Sequence, residues 1–467
     1  MNRPFLLIPI ETKVREFHAK ALLGCFAAEA GFHVILGGQN EMHHQLRFLP
    51  RGIYLDKSIA ITKAKFFRKC KQLGNRVAAW CEEGLVFLDP DTYLKERISI
   101  ASYNCVDSFF AWGKVQERVV GSRIRGSENK IFCTGNPRID LLRHPFRNVF
   151  LPQADAIRKL HAPFILIDTN FGLYNHFHGR DFVVRTMKEQ GRLQSPEDEA
   201  FLVRWGDYHG EMYRHFLAMS KRLSRSFPEI TIIIRPHPSE SLETWKNETR
   251  MLSNVKVIQE GSAVPWIMAS EVMIHNGCTT GVEAYVLEQP VLCYCPIASE
   301  TYDSELPNAL GRKADSLDVI SALVHEAMSN PSGFRNGSEA NIRRNALAGE
   351  YIESLTGSTA SEKIVSVLRE LLSHEVISKG LKKEDSFLWP FLRRLQTWVL
   401  WAKPAARRIV KGRVGGYAYL NQKFPGLSLE EVQQVLDAYK EVSGRFKNVE
   451  AAKAPGTTSC FVISQGF

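Results

Sequence analysis

The sequence predicts an α/β protein made of two doubly wound, Rossmann-like domains. Three observations predict it. Short apolar runs alternate with helical stretches from the first residues on, the alternation starts afresh near residue 163, and the polar motifs fall where apolar runs end. Phe5 to Ile10, His33 to Leu36, Gly52 to Leu55, Val77 to Cys81, Ser108 to Ala111 and Lys130 to Cys133 have the length and composition of buried strands, and Arg15 to Ala30 and Ala64 to Leu73 have helical spacing. Gly135-Asn-Pro-Arg-Ile-Asp140 and the polar stretch through Pro152 close this first domain, taken as residues 1–150. The second, 151–375, opens on Pro163-Phe-Ile-Leu-Ile-Asp-Thr-Asn-Phe-Gly172. A His- and Arg-rich stretch from Asn175 to Asp198 follows, then a helix from Glu199 to Ser226 and strands at Ile230 to Arg235 and Val255 to Gln259. A strand, turn, helix and strand run from Val272 to Cys293. Residues 376–467 read as a basic, aromatic, helical extension, with an amphipathic helix from Glu430 to Val449 and a disordered tail after Lys453.

With 467 residues and 44% hydrophobic content the chain is long enough for two large cores. No stretch reaches the roughly 20 apolar residues that span a bilayer, and the opening Met1 to Ile10 reads as a strand rather than a signal peptide, so a cytoplasmic protein is expected. The nine cysteines lack metal-ligand spacing and read as reduced core residues. The net charge of +10 suits anionic lipid or acidic glycan at least as well as nucleic acid, for which no binding module is present. Lys382 to Arg413 mixes tryptophan and phenylalanine with cations. It suits an anionic membrane surface on the inner face of the cytoplasmic membrane, or else a helix packing its aromatic face on the domains.

Two motifs at strand ends carry the chemistry. Glu82-Glu83-Gly84 offers paired carboxylates for acid/base work, and Arg235-Pro236-His237-Pro238 offers a cation and a hydrogen-bonding ring for a phosphate. In open α/β sheets ligands bind beyond the carboxyl ends of the strands, where both motifs fall. Asn276, Gly277, Thr279 and Thr280 form a small-residue turn before a helix whose positive end suits a phosphate. Asp168, Thr169 and Asn170 after the 164–168 run, Glu11 after the first strand and Asn136 in the Gly-Asn-Pro-Arg segment are further candidates for substrate contact. Each has a structural reading: a solvated strand end for Glu82 and Glu83, a stiffened turn for His237, loop capping for Asp168, a hinge for Asn136. His43, His44, His176 and His178 lack accompanying carboxylates or cysteines, and no Asp-x-Asp pair suits a nucleotide-bound cation, so no metal or other cofactor is expected.

The order of these motifs over residues 1 to 370 resembles the GT-B glycosyltransferases that use CMP-activated sugars. More narrowly it resembles bacterial sialyltransferases and the Kdo transferases of capsule and lipopolysaccharide assembly, and Ile8-Pro-Ile-Glu-Thr-Lys-Val-Arg-Glu-Phe17 is similar to the start of surface carbohydrate biosynthesis proteins. The resemblance implies two Rossmann-like domains facing across a cleft, a nucleotide-sugar donor, and a surface polysaccharide or glycolipid acceptor. It implies one of Glu82 and Glu83 as general base, His237 as donor to the leaving CMP phosphate, Thr279 and Thr280 as phosphate contacts, and Glu283 on the ribose. Arg235, Pro238, Asn276 and Gly277 complete the implied nucleotide site. Stereochemistry stays open, with Asp168 as the extra carboxylate a retaining enzyme would need. Three alternatives stand beside it: a CDP-polyol phosphotransferase of teichoic-acid type, a UDP-sugar 2-epimerase, to which Gly135-Asn-Pro-Arg138 points, and a non-catalytic binding protein.

Overall fold

The computed structural model describes residues 3–124, 130–189, 191–193, 195–331, 334, 339–373 and 423–466. The aromatic, basic stretch 382–413, with its expected membrane contact, lies outside the described residues. The chain divides into two compact units, one built from Met1–Gly84, Asp91–Val149 and Ile352–Phe467, the other from Leu85–Pro90 and Phe150–Tyr351.

In the first unit β1 (Phe5–Ile10), β2 (His33–Gly38), β3 (Gly52–Asp56), β4 (Arg76–Trp80), β5 (Ser108–Ala111) and β6 (Ile131–Cys133) form a parallel sheet in the order β2-β1-β3-β4-β5-β6. Strands covered by helices on both faces need continuous apolar runs, which is why Phe5–Ile10 shows no alternation and is buried almost throughout. β1 lies between β2 and β3, so the strand order reverses there and the carboxyl end of β1 faces a switch point.

The tail corrects the sequence reading. After the helix Leu429–Ser443, β13 (Val449–Lys453) and β14 (Cys460–Gln465) form a hairpin whose second strand pairs antiparallel with β2, Phe461 opposite Leu36 and Ile463 opposite Val34. Cys460, Phe461 and Ile463 are buried. The tail is ordered because it covers the hydrogen-bonding edge that β2 would otherwise present to solvent. Gly37 is required at this junction, since a Cβ there would lie 2.5 Å from the carbonyl oxygen of Ser459. The first unit is therefore completed by the end of the chain, which extends its parallel sheet with two antiparallel strands.

The second unit is an all-parallel sheet of β7 (Phe164–Asp168), β8 (Thr231–Arg235), β9 (Val255–Val257), β10 (Val272–His275), β11 (Val291–Tyr294) and β12 (Arg312–Ala314), in the order β12-β11-β10-β7-β8-β9. Its switch point is between β7 and β10. The long helix Pro196–Ser226 starts on a Ser195 side-chain cap with three acidic residues in its first turn, and its buried face, including Met212, Phe216, Met219 and Leu223, packs in the core with Ile165, Ile232 and Ile274. Two parallel-sheet, Rossmann-like units are thus observed, as the sequence predicts.

Candidate functional site

The second unit gathers polar groups at the carboxyl ends of its central strands. Asp168 ends β7 and is paired in register with Arg235, which ends β8; His275, which ends β10, follows directly on the Ile274–Ile167 pair and stands opposite Cys293 of β11. Neighbouring strands are about 4.8 Å apart, so this row brings a guanidinium, a carboxyl, an imidazole and a thiol across roughly 15 Å of sheet edge. Asp168 is 4% exposed, and one of its carboxyl oxygens has no partner among the described residues. Burial pushes its pKa up to about 6, against the pull of Arg235 and a hydrogen bond from Thr280; Glu283 also raises it. Thr280 stands in the first turn of the helix Thr279–Val286, so the positive end of that helix faces the carboxyl.

His275 lies beneath that helix. It is wholly buried, and neither ring nitrogen has a partner among the described residues. Burial pushes its pKa down to about 4, so it is neutral at physiological pH. A Cβ on Gly281 would lie 2.2 Å from its Nε2, so the helix approaches this closely only with glycine at that position. Asn276 and Gly277, expected to face a phosphate, are given structural partners: the Asn276 amide donates to the Tyr294 carbonyl at 3.0 Å, and the Gly277 N–H donates to Asn308 Oδ1 at 2.7 Å. Thr279 and Asn170 are half-buried at the same edge.

Glu240, which sequence reasoning missed, organises the loops after β7 and β8. Its Oε1 accepts from Thr169 Oγ1 at 2.7 Å, Phe171 N–H at 3.1 Å and His237 N–H at 3.0 Å, and its Oε2 accepts from Trp245 Nε1 at 2.9 Å. Thr169 is thereby committed to this carboxylate. The only sequence signal was a glutamate three residues after His237 followed by Trp245, a polar handle for a buried indole. His237 is exposed, and its Nδ1 accepts from the Ser239 N–H at 3.2 Å and lies 2.8 Å from Ser239 Oγ. An accepting Nδ1 carries no proton, so the neutral ring is protonated on Nε2. Pro238 is exposed beside it. Arg235 donates to the carbonyls of Glu260 and Gly261 at 3.0 and 2.6 Å and lies over the Trp266 ring. Gln259 ties the same loop to the Pro236 and His237 carbonyls. The Arg-Pro-His-Pro turn is thus held rigid from both sides, and Glu283 is near enough to act electrostatically on Arg235 and Asp168.

The first unit places Glu82 and Glu83 differently from each other. Glu82 is buried, accepting from Trp80 Nε1 at 2.8 Å and standing 3.5 Å from the Arg138 guanidinium. Glu83 is 43% exposed and 3.3 Å from Arg15. Burial raises the Glu83 pKa, but Arg15, Arg97, Arg138 and Lys57 outweigh it and hold the carboxyl below its ordinary range. A Cβ on Gly84 would fall 1.9 Å from Gln116 Nε2, so a side chain there would displace the amide that donates to Tyr93 Oη. Glu11 pairs with Lys57 at 3.1 Å and Lys423 at 3.0 Å. Behind it Glu16 and Lys20, both nearly wholly buried, pair at 2.6 Å, with Lys57 also 2.6 Å from Glu16. Asn136 caps the short helix Pro137–Asp140 by accepting from the Arg138 N–H, while its buried amide nitrogen has no partner among the described residues. Asp140 accepts from the Ala360 and Ser361 amides, which makes the Gly-Asn-Pro-Arg-Ile-Asp segment a capping device. Among the described residues no cluster of three or more His, Cys, Asp or Glu could hold a metal, and no helix is long and apolar enough to cross a membrane.

No protein-family model matches the chain, and no curated protein matches it. Solved structures do. A UDP-GlcNAc 2-epimerase of Methanocaldococcus jannaschii, in complex with UDP-GlcNAc and UDP, is 14% identical, with 79% of this chain and 100% of that one covered and a TM-score of 0.40. A Listeria monocytogenes structure named as a UDP-N-acetylglucosamine 2-epimerase is 12% identical over 80% and 98%, with a TM-score of 0.49. A Neisseria meningitidis UDP-GlcNAc 2-epimerase bound to UDP-GlcNAc is 13% identical over 79% and 100%, with a TM-score of 0.43. These names belong to the second of the sugar-nucleotide reactions expected above, and the narrower resemblance to CMP-Kdo and sialyltransferases gains no support from them. At such identities and scores they carry no argument on substrate or reaction.

Proposed function

We propose that the protein is an enzyme acting on a nucleotide-activated sugar, with the nucleotide held at the carboxyl edge of the second unit's sheet. The observation that carries this reading is Asp168: a buried carboxyl at the switch point, one oxygen without a partner among the described residues, between Arg235 and the start of the helix Thr279–Val286. A carboxylate oxygen in that position calls for a hydroxyl or N–H donor, which a ribose, a base or a sugar supplies and a bare phosphate does not. The phosphate is assigned to His237, whose exposed ring carries a hydrogen-bonding group suited to an anion, and to the helix end at Thr279 and Thr280. When the bond between sugar carbon and phosphate oxygen breaks, its electron pair goes to the phosphate, and these donors take up the charge.

The finer reading is epimerisation of a UDP-sugar. That reaction needs groups that take a proton from one face of a sugar carbon and return one to the other, and a carboxyl held near pH 6 suits such exchange better than one held below the ordinary range. Asp168 is such a group; Glu83 is not. Transfer from a CMP-activated sugar to a glycan is the second reading, favoured by the half exposure of Glu83, which leaves it accessible to an acceptor hydroxyl. The test is to incubate the protein with UDP-GlcNAc in deuterium oxide and follow the C2 proton by NMR, alongside thermal-shift titration with UMP, UDP, CMP and CDP. Deuterium at C2 with UDP-selective stabilisation supports epimerisation. CMP-selective stabilisation without exchange supports transfer, and no response to any nucleotide sinks both.

A further inference from the structure

Three polar side-chain atoms on one face of the long helix Pro196–Ser226 are buried without a partner among the described residues: Trp205 Nε1, His209 Nδ1 and Tyr213 Oη. They follow one another at four-residue intervals, so they lie along a single ridge of the helix. Their setting is aromatic. The Trp205 and His209 rings meet edge-on at 5.5 Å, Phe171 lies edge-on 6.1 Å from His209 and 6.0 Å from Tyr213, and Tyr213 lies 4.4 Å from Trp245. Trp205 and His209 are half-buried and Tyr213 is 4% exposed, so the ridge runs from the surface inward. Beside it Gly210 lets the loop after β7 lie against the helix, a Cβ there falling 2.6 Å from the Tyr174 ring.

Native proteins pair nearly all buried polar groups, and leaving one unmade costs more than a typical hydrogen bond gains. Three orphans in one row are a demand for one ligand. The indole N–H only donates, whereas the phenol and imidazole can donate or accept, so the complement is a molecule bearing several oxygens that do both. Aromatic walls with a few convergent polar atoms also suit a ring with apolar C–H faces. We infer that the ridge Trp205–His209–Tyr213, with Phe171, is a carbohydrate subsite of the second unit, which takes a sugar ring by its hydroxyl groups. Phe171 joins it to the Glu240 network that also fixes His237. The inference stands on these residues alone and does not need the nucleotide reading.

The test uses the full chain and free glucose, N-acetylglucosamine and N-acetylneuraminic acid, each followed by saturation-transfer NMR, with wild type, Tyr213→Phe and Trp205→Phe. The expected result is saturable binding of at least one sugar by wild type, weakened about tenfold in both variants. The melting temperature of unliganded Tyr213→Phe, which removes only the hydroxyl, should be unchanged or higher, because that hydroxyl has no partner among the described residues. Binding of none of the sugars overturns the inference. So does a fall in the unliganded melting temperature of Tyr213→Phe, which would mean that structural water already satisfies this hydroxyl. UDP and CMP titrated in parallel separate the two proposals. A sugar that binds while no nucleotide does leaves the subsite standing and the proposed reaction without support.

Discussion

The carboxylates at residues 11, 16, 82 and 83 of the first unit and Asp168 of the second are held in opposite ways. In the first, Glu11, Glu16, Glu82 and Glu83 each stand against at least one cation, and Glu16 is held down to about 2 by Lys20 and Lys57 despite a burial that raises it. In the second, Asp168 has Arg235 beside it, yet burial wins and its pKa rises to about 6. The difference is geometric. Lys20 and Lys57 reach Glu16 at hydrogen-bonding distance, whereas the Arg235 guanidinium is drawn away to the Glu260 and Gly261 carbonyls. Saturated carboxylates hold a structure together; an unsaturated one keeps hydrogen-bonding capacity to spare. On the proposed reading, this contrast favours the edge of the second sheet over the acidic pair at residues 82–83, the more conspicuous motif.

The largest effect expected is on the saturated side. Glu16→Gln leaves the Lys20 ammonium, 2% exposed, with the Pro9 carbonyl but no countercharge, and should destabilise the protein by about 3–5 kcal/mol in denaturant unfolding. A loss under 1 kcal/mol would show that the first unit's network is not buried as described. On the unsaturated side the sign reverses. The gap between the ordinary 3.8 and about 6 for Asp168, at about 1.4 kcal/mol per pH unit, is worth about 3 kcal/mol. Because the folded pKa is raised, that contribution is fully present below pH 3.8 and is lost as pH rises through 6. Asp168→Asn should therefore gain stability over wild type at pH 7, by up to about 3 kcal/mol, and little at pH 4, with unfolding at both pH values as the check. A variant less stable than wild type at pH 7 would mean that the carboxylate is well paired and the comparison fails.

A subtler effect sharpens the comparison within the second unit. Glu240→Gln replaces one accepting oxygen by a donor among four donors and should loosen the turn that carries His237, lowering nucleotide affinity about tenfold with a loss of roughly 1.5–3 kcal/mol in stability. Ser239→Ala should act least. The Ser239 N–H still fixes the His237 tautomer, so nucleotide affinity should fall by no more than a few-fold, measurable by titration calorimetry.

Much of the fold was legible because parallel strands covered on both faces must be apolar throughout, and the Phe5, Val77, Phe164, Ile230 and Val272 runs are. The tail was not. Its strand Cys460–Gln465 is short and preceded by Gly, Thr and Ser, and its partner is more than 400 residues away in sequence, so no local pattern announces the pairing. At the site, strand ends located Asp168, Arg235 and His237, since position alone places them at the sheet's carboxyl edge. Sequence could not tell that Asn276 and Gly277 are tied to Tyr294 and Asn308, nor that Thr169 serves Glu240, because those partners come from separate loops. Lys20 was the signal overlooked: a cation inside the apolar run Phe17 to Ala28, four residues after Glu16, marks a buried pair.

The central claim is that nucleotide binding belongs to the edge at Asp168 and His237 and not to the acidic pair of the first unit. Titration calorimetry with UDP and CMP on wild type, His237→Ala and Glu83→Gln tests it most directly. The preferred nucleotide should bind His237→Ala at least about tenfold more weakly, as loss of a charge-assisted hydrogen bond would cause, and bind Glu83→Gln with unchanged affinity. Unchanged affinity in His237→Ala together with a loss in Glu83→Gln would contradict it.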